Sequence, residues 1–255
     1  MKFSRSVTIG KIVTENIETA SVFNDHGINF YSKGSMTLEE ACQDKNISIE
    51  SLIEDLTQID GMNKDSHDFA QMSTKKLCNY IILRHHDSIR KKIVFIRHTL
   101  AKFNSEQECE QVILHLTKNT FEKLSAHIAN YLQCEQEILF PLIINIDVQN
   151  DMSASGFKAM IQHLGSIGTV IENEIKDLIV IPRISRKRWV ENENRDIYTS
   201  IHNVLMELQN DVKIQMHLEN NILFPKILES ILKNELNIER RPIESAKASL
   251  HIIYQ

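Results

Sequence analysis

Glu135-Gln136-Glu137-Ile138-Leu139-Phe140-Pro141 returns later in the chain as Glu219-Asn220-Asn221-Ile222-Leu223-Phe224-Pro225. Both copies read E-x-x-I-L-F-P, and both close a long helical pattern, with apolar anchors and then a proline that is expected to stop the helix. Each preceding helix carries a histidine, His86 or His163, so this part of the chain reads as two related helix pairs. Apolar anchoring explains I-L-F-P. It does not explain a glutamate one turn earlier, because a surface glutamate has no reason to recur. Outward from the repeat, helical periodicity covers roughly 73–103, 105–140, 152–180 and 193–232. Ser105 with Glu108 opens the second stretch as a capping box, and Ile181-Pro182-Arg183 is expected to separate the third from the fourth. Four long helices on short loops predict an all-α protein built on an antiparallel four-helix bundle. Helices two and four then sit diagonally or side by side, with their glutamates at matching depth.

Composition agrees. The chain has 255 residues, 42% of them hydrophobic, enough for one sizeable core and a second small domain. It holds only 7 Gly and 4 Pro, and none of either lies between Met62 and Phe140. A net charge of −5 gives no global attraction to nucleic acid or anionic lipid, so neither is expected as a partner. No apolar run reaches bilayer length and the first residues lack the apolar stretch of a secretion signal, so a cytoplasmic location is expected. Cys42, Cys78, Cys109 and Cys134 form no C-x-x-C pair, which argues against a disulfide scaffold and a zinc knuckle. No P-loop, nucleophile elbow or H-E-x-x-H pattern competes. The basic cluster Arg183 to Arg188 beside Trp189 reads as a solvated loop between helices.

Residues 1–62 read as a small helical domain, with turn signals at Gly27, Gly34 and Gly61. Thr37 and Glu40 have capping-box spacing, and Ser48 caps a segment whose Leu52, Ile53, Leu56 and Ile59 recur at helical spacing. A polar linker covers 63–72, the bundle 73–235, and a docked or frayed tail 236–255.

Inward-facing carboxylates that bridge two metal ions, with imidazoles in the outer positions, are the usual site of such a bundle. One glutamate from each half is the minimal bridge. A second ligand on the same helix belongs at i−4, which turns the face by only about 40°. Those positions are Tyr131 and Gln215. A phenolate is a hard donor suited to ferric iron, so Tyr131 is a candidate ligand; Gln215 offers only a neutral amide oxygen, or a hydrogen bond to a glutamate or water. His127, one turn before Tyr131, fits only a site shifted by about 6 Å. His217 points about 200° away from Gln215 and is expected to make a structural hydrogen bond. His85 is expected to face solvent or lie just behind His86. Cys134 is expected as a small apolar residue.

The chain resembles the repair-of-iron-centres family, also called regulators of cell morphogenesis and nitric oxide signalling, which carries a haemerythrin-like di-iron bundle. The resemblance runs through Thr8-Ile9-Gly10-Lys11-Ile12-Val13, Gly27-Ile28-Asn29-Phe30, Thr37-Leu38-Glu39-Glu40-Ala41-Cys42, Arg84-His85-His86-Asp87, Gln162-His163 and His217 to Pro225. It implies iron ligands at His86, Glu135, His163 and Glu219, with the family's two other histidines falling at Tyr131 and Gln215. The family's paired cysteines fall at Tyr31 and Ser32, so those thiols are absent. The resemblance implies a non-haem iron protein, with one or two ions, in iron–sulfur cluster repair or the response to nitric oxide and oxidative stress. Its partners would be iron–sulfur proteins, small oxidants such as nitric oxide or dioxygen, and a second copy in a homodimer. The alternative is a metal-poor or metal-free regulatory paralogue acting through a protein partner or a small ligand in the bundle cavity.

Overall fold

The computed structural model describes residues 3–60, 68–102, 108–149, 153–189 and 195–236. These residues are all-α, with one isolated β-bridge, Thr8 to Thr37. Four short helices come first: α1 (Ile9–Glu15), α2 (Thr19–Asp25), α3 (Leu38–Lys45) and α4 (Ile49–Asp60). The expected capping box closes around α3, since the Thr37 hydroxyl accepts from the Glu40 amide and the Glu40 carboxylate accepts from the Thr37 amide. Ser48 caps α4 by accepting from the Ser51 amide. Gly27 sits in the left-handed region at φ 65°, where a Cβ would be strained.

Four long helices complete the fold. α5 runs through Thr74–Tyr80, a wide π-turn at Ile81–His86, and Asp87–Ala101. α6 runs through Glu108–Cys134, a π-turn at Glu135–Leu139, and Phe140–Gln149. α7 is Ala154–Trp189, and α8 is Arg195–Leu218, a π-turn at Glu219–Leu223, then 224–236. Cross-links run in opposite directions along the α5–α8 and α5–α6 pairs, which are therefore antiparallel. His86 and Lys92 of α5 meet Gln215 and Asp211 of α8. Arg90 and Arg97 of α5 meet Gln136 and Glu122 of α6. Phe157 of α7 packs edge-on against Phe224 of α8. α6 lies along α7, and α8 along both α5 and α7, so α6 and α8 occupy a diagonal.

Three boundaries differ from expectation. Pro141 and Pro225 do not stop their helices, which continue to residues 149 and 236. In a regular turn each proline ring would collide with the carbonyl four residues back. The turn before each is widened instead: the Phe140 amide bonds the Glu135 carbonyl and the Phe224 amide bonds the Glu219 carbonyl, five residues apart. Nor does Ile181-Pro182-Arg183 break the third helix; α7 continues to Trp189, so the basic cluster is helical rather than a loop. The Ser105–Glu108 box, residues 63–67 of the linker and the tail beyond residue 236 lie outside the described residues; Phe69–Gln71 of the linker form a short 3-10 turn with Phe69 buried.

One hydrophobic core spans both parts of the chain, from Ile9, Phe23 and Leu38 to Leu124, Phe140, Ile175 and Leu223. Cys42 and Cys78 are buried free thiols and Cys134 is a half-buried one. No helix among the described residues is long and apolar enough to cross a membrane.

Candidate metal centre

Each π-turn of the repeat opens on its glutamate. An ordinary helix turns about 100° per residue; adding one residue to a turn shifts the register and re-aims what precedes the proline. Glu135 continues the buried stripe Leu124, Ile128, Tyr131 on α6, and Glu219 continues Leu208, Val212, Gln215 on α8. Both carboxyls therefore enter the bundle from opposite corners of its diagonal, and both are at most 1% exposed. His86 arrives from the third π-turn and is fully buried, stacked on Phe140 at 5.8 Å.

The contacts are short. His86 Nε2 is 3.1 Å from Glu135 Oε2. The Gln215 amide donates to Glu135 Oε2 at 2.7 Å and to Glu219 Oε1 at 2.9 Å. The Tyr131 hydroxyl donates to Glu219 Oε2 at 2.9 Å. Burial dominates the titration. It pushes the Glu135 carboxyl up to about 8, and it raises Glu219 well above the usual carboxylate range, with the facing Glu135 charge adding to the shift. Burial holds His86 down to about 4. It also raises the Tyr131 phenol well above 10, helped by both glutamates. The metal-free site at neutral pH is thus a protonated, nearly uncharged network, and His86 with Glu135 is a neutral hydrogen bond rather than an ion pair.

Five of the six expected residues meet here: His86, Tyr131, Glu135, Gln215 and Glu219. His163 does not. It is exposed on α7, because the buried stripe of that helix is Phe157, Leu164, Ile171 and Leu178, repeating every seven residues, and His163 lies one position off it. What α7 places beside Tyr131 and Gln215 is Gly168 and Ile171, in a small apolar cavity shared with Ile89, Ile128, Val212 and Met216. His127 turns outward to Glu174 at 2.9 Å. His85, expected near solvent or behind His86, is buried against Tyr80 with neither ring nitrogen hydrogen-bonded, and burial holds it down to about 4. His217 makes the expected structural bonds, to Asn221 and Thr14.

Donor chemistry decides what could be held. Among the described residues no three His, Cys, Asp or Glu side chains stand as a ready-made cage. Among the described residues this cluster has a single imidazole, His86, and His163 of α7 is exposed away from it. The donors that come nearest to one another are His86, Glu135 and Glu219, with Gln215 bridging the two carboxyls. Glu135 Oε1 and Gln215 Oε1 are buried without a hydrogen-bond partner, so the Gln215 amide has an oxygen free to turn inward in place of its nitrogen.

Comparison with known proteins agrees with this scaffold. Residues 5–60 match the ScdA_N family, described as a domain of unknown function (DUF542). The chain is 24% identical over 230 residues to the iron-sulfur cluster repair protein YtfE of Yersinia pseudotuberculosis, covering 88% of this chain and 97% of that protein. It is 20% identical over 220 residues to the iron-sulfur cluster repair protein ScdA of Staphylococcus haemolyticus, covering 86% and 96%. Over most of its length the chain is thus similar to iron-sulfur cluster repair proteins, and its first 60 residues include an ScdA_N match. Tyr131 and Gln215, the two positions where the resemblance implies histidines, both hydrogen-bond the paired glutamates. At the site of the family's cysteine pair, Tyr31 is buried and Ser32 exposed. Tyr31 is no thiol substitute, since burial and the hydrogen bond to Glu172 raise its phenol far above 10.

Proposed function

We propose that this chain acts in iron–sulfur cluster repair, as the names of its relatives describe, and that its bundle site takes one non-haem iron ion rather than two. The observation that carries this is the convergence of Glu135 and Glu219 with His86 at the centre of the bundle, where α7 places Gly168 and Ile171 beside Tyr131 and Gln215. A ferrous ion there would supply an exchangeable metal, either as iron for a damaged cluster or as a binding position for nitric oxide or dioxygen. The chain's own residues perform the rest. Glu135 and Glu219 release their protons on loading, so uptake tightens as pH rises through the raised carboxyl range. Gln215 exchanges its amide nitrogen for its oxygen, and Tyr131 keeps its hydroxyl on Glu219. Phe140 and the surrounding aliphatic side chains keep water out.

The test is transfer. Iron-loaded full-length protein, incubated anaerobically with a nitric-oxide-damaged [4Fe–4S] protein, should restore the cluster absorbance of that protein, and a Glu135→Ala, Glu219→Ala double variant should not. Equal recovery with the double variant would refute the assignment.

A second reading is favoured by the closed hydrogen-bond network. Gln215 and Tyr131 already satisfy three of the four carboxyl oxygens without an ion. In that reading the protein works metal-free through a partner. Folded protein that takes up no iron under anaerobic reconstitution would select it.

A further inference from the structure

Glu219 is held from two sides. Toward the bundle it meets Gln215 and Tyr131; its neighbours in sequence meet the N-terminal helices. Asn221 Nδ2 lies 3.2 Å from the Phe30 carbonyl, 3.3 Å from the Tyr31 carbonyl and 3.0 Å from His217 Nδ1. Asn220 donates to the Tyr31 carbonyl at 3.1 Å. The His217 ring is fully buried, 5.8 Å from the Phe30 ring, with Nε2 3.3 Å from the Thr14 hydroxyl, which itself donates to the Gly10 carbonyl. Opposite Asn221 stands Gly34. A Cβ on Gly34 would fall 1.9 Å from Asn221 Oδ1, and Gly34 has no left-handed backbone to account for its being glycine. It is small to make room for Asn221.

The other copy of the repeat has none of this. Gln136, Glu137 and Ile138 are exposed, and Gln136 accepts only from the surface Arg90. A π-turn is a widened, weakly preferred turn, and tertiary contacts determine how well it keeps its shape. At Glu219 those contacts come from the N-terminal domain.

We propose that Asn221 is a positioning residue through which the N-terminal helices set the π-turn carrying Glu219, so that their docking and ion uptake at the bundle site are coupled. Coupling of this kind is reciprocal: whatever loosens the dock weakens the ion, and an ion on Glu219 tightens the dock. The metal half of the proposal rests on the one-ion reading; the dock half does not.

The test uses the full chain with Co²⁺ as a spectroscopic probe ion, together with amide hydrogen exchange on the metal-free protein. Gly34→Ala and Asn221→Ala should each weaken Co²⁺ binding by about fivefold or more and alter its visible bands. The double variant should bind no more weakly than Asn221→Ala alone, because the new Cβ no longer meets an amide. Asn221→Ser, which keeps a short donor, should recover part of the affinity, and Glu137→Ala, at the equivalent place in the other copy, should leave it unchanged. Exchange in Asn221→Ala should quicken at both 30–34 and 219–223. Faster exchange at 30–34 alone, with Co²⁺ affinity unchanged, would overturn the proposal. If the unaltered protein takes no Co²⁺, the one-ion reading fails, and the exchange pattern by itself decides whether the dock sets the turn. Should Gly34→Ala fail to fold, the Asn221 variants carry the same comparison.

Discussion

The two E-x-x-I-L-F-P turns share a sequence, a π-turn and a buried glutamate, and they differ in what covers them. Ile138 is 60% exposed, whereas its counterpart Ile222 is 7% exposed, in a turn that packs against α1. Gln136 and Glu137 lie in solvent; Asn220 and Asn221 bond the Phe30–Tyr31 carbonyls. The inner ends of the two turns are alike, with Glu135 and Glu219 joined by one Gln215 amide. The outer ends diverge. Chemistry at the centre therefore constrains both copies equally, while docking constrains only the second.

The largest expected effect ignores the asymmetry. Replacing either Glu135 or Glu219 by Ala should abolish ion uptake, measured by metal analysis after desalting, with circular dichroism still helical. A variant in one half that keeps full uptake would break the equivalence of the two carboxyls.

The next effect depends on the asymmetry. Asn221→Ala leaves the Phe30 carbonyl and His217 without this donor, while Asn220 still serves the Tyr31 carbonyl, and should cost about 1–3 kcal/mol in urea unfolding. Glu137→Ala, on the bare turn, should stay within about 0.5 kcal/mol. Equal costs would show that both turns are held alike.

Restoring an imidazole should sharpen the picture of the centre. Gln215→His places a nitrogen donor where an amide now spans both carboxyls and should tighten ion binding by about tenfold, read by competition with a chelator. His163→Ala should leave binding unchanged, since that side chain is exposed.

The smallest effect is on pH-dependent stability without metal. The folded chain binds the Glu135 proton more tightly than the unfolded chain does, so this contribution is present below about 4.5 and is lost as pH rises through about 8. His86 and His217 are held down to about 4, so their contribution is present above 6.5 and is lost as pH falls toward 4. Melting temperature in chelator should peak between these limits. Glu135→Gln should flatten the alkaline fall and leave the acid fall in place.

Residue spacing alone makes much of this legible. The repeat implies two equivalent helix pairs, the four-residue step puts Tyr131 and Gln215 beside the glutamates, and the Thr37–Glu40 box marks the start of α3. The helix ends are not legible at Pro141 and Pro225, because a proline rule written for regular turns does not anticipate a widened turn that relieves the clash. His163 fails for a different reason. A family motif selects it, although the seven-residue stripe through Phe157, Leu164, Ile171 and Leu178 excludes it from the inner face. The dock of Asn221 on Phe30 and Tyr31 joins segments about 190 residues apart, and no local pattern announces it.

The most direct test of the central claim is the iron stoichiometry of the full-length protein after anaerobic reconstitution with ferrous iron and removal of the excess. One iron per chain, absent from the Glu135→Ala, Glu219→Ala variant, is the predicted result. Two irons per chain, or one that survives loss of both carboxyls, would contradict it.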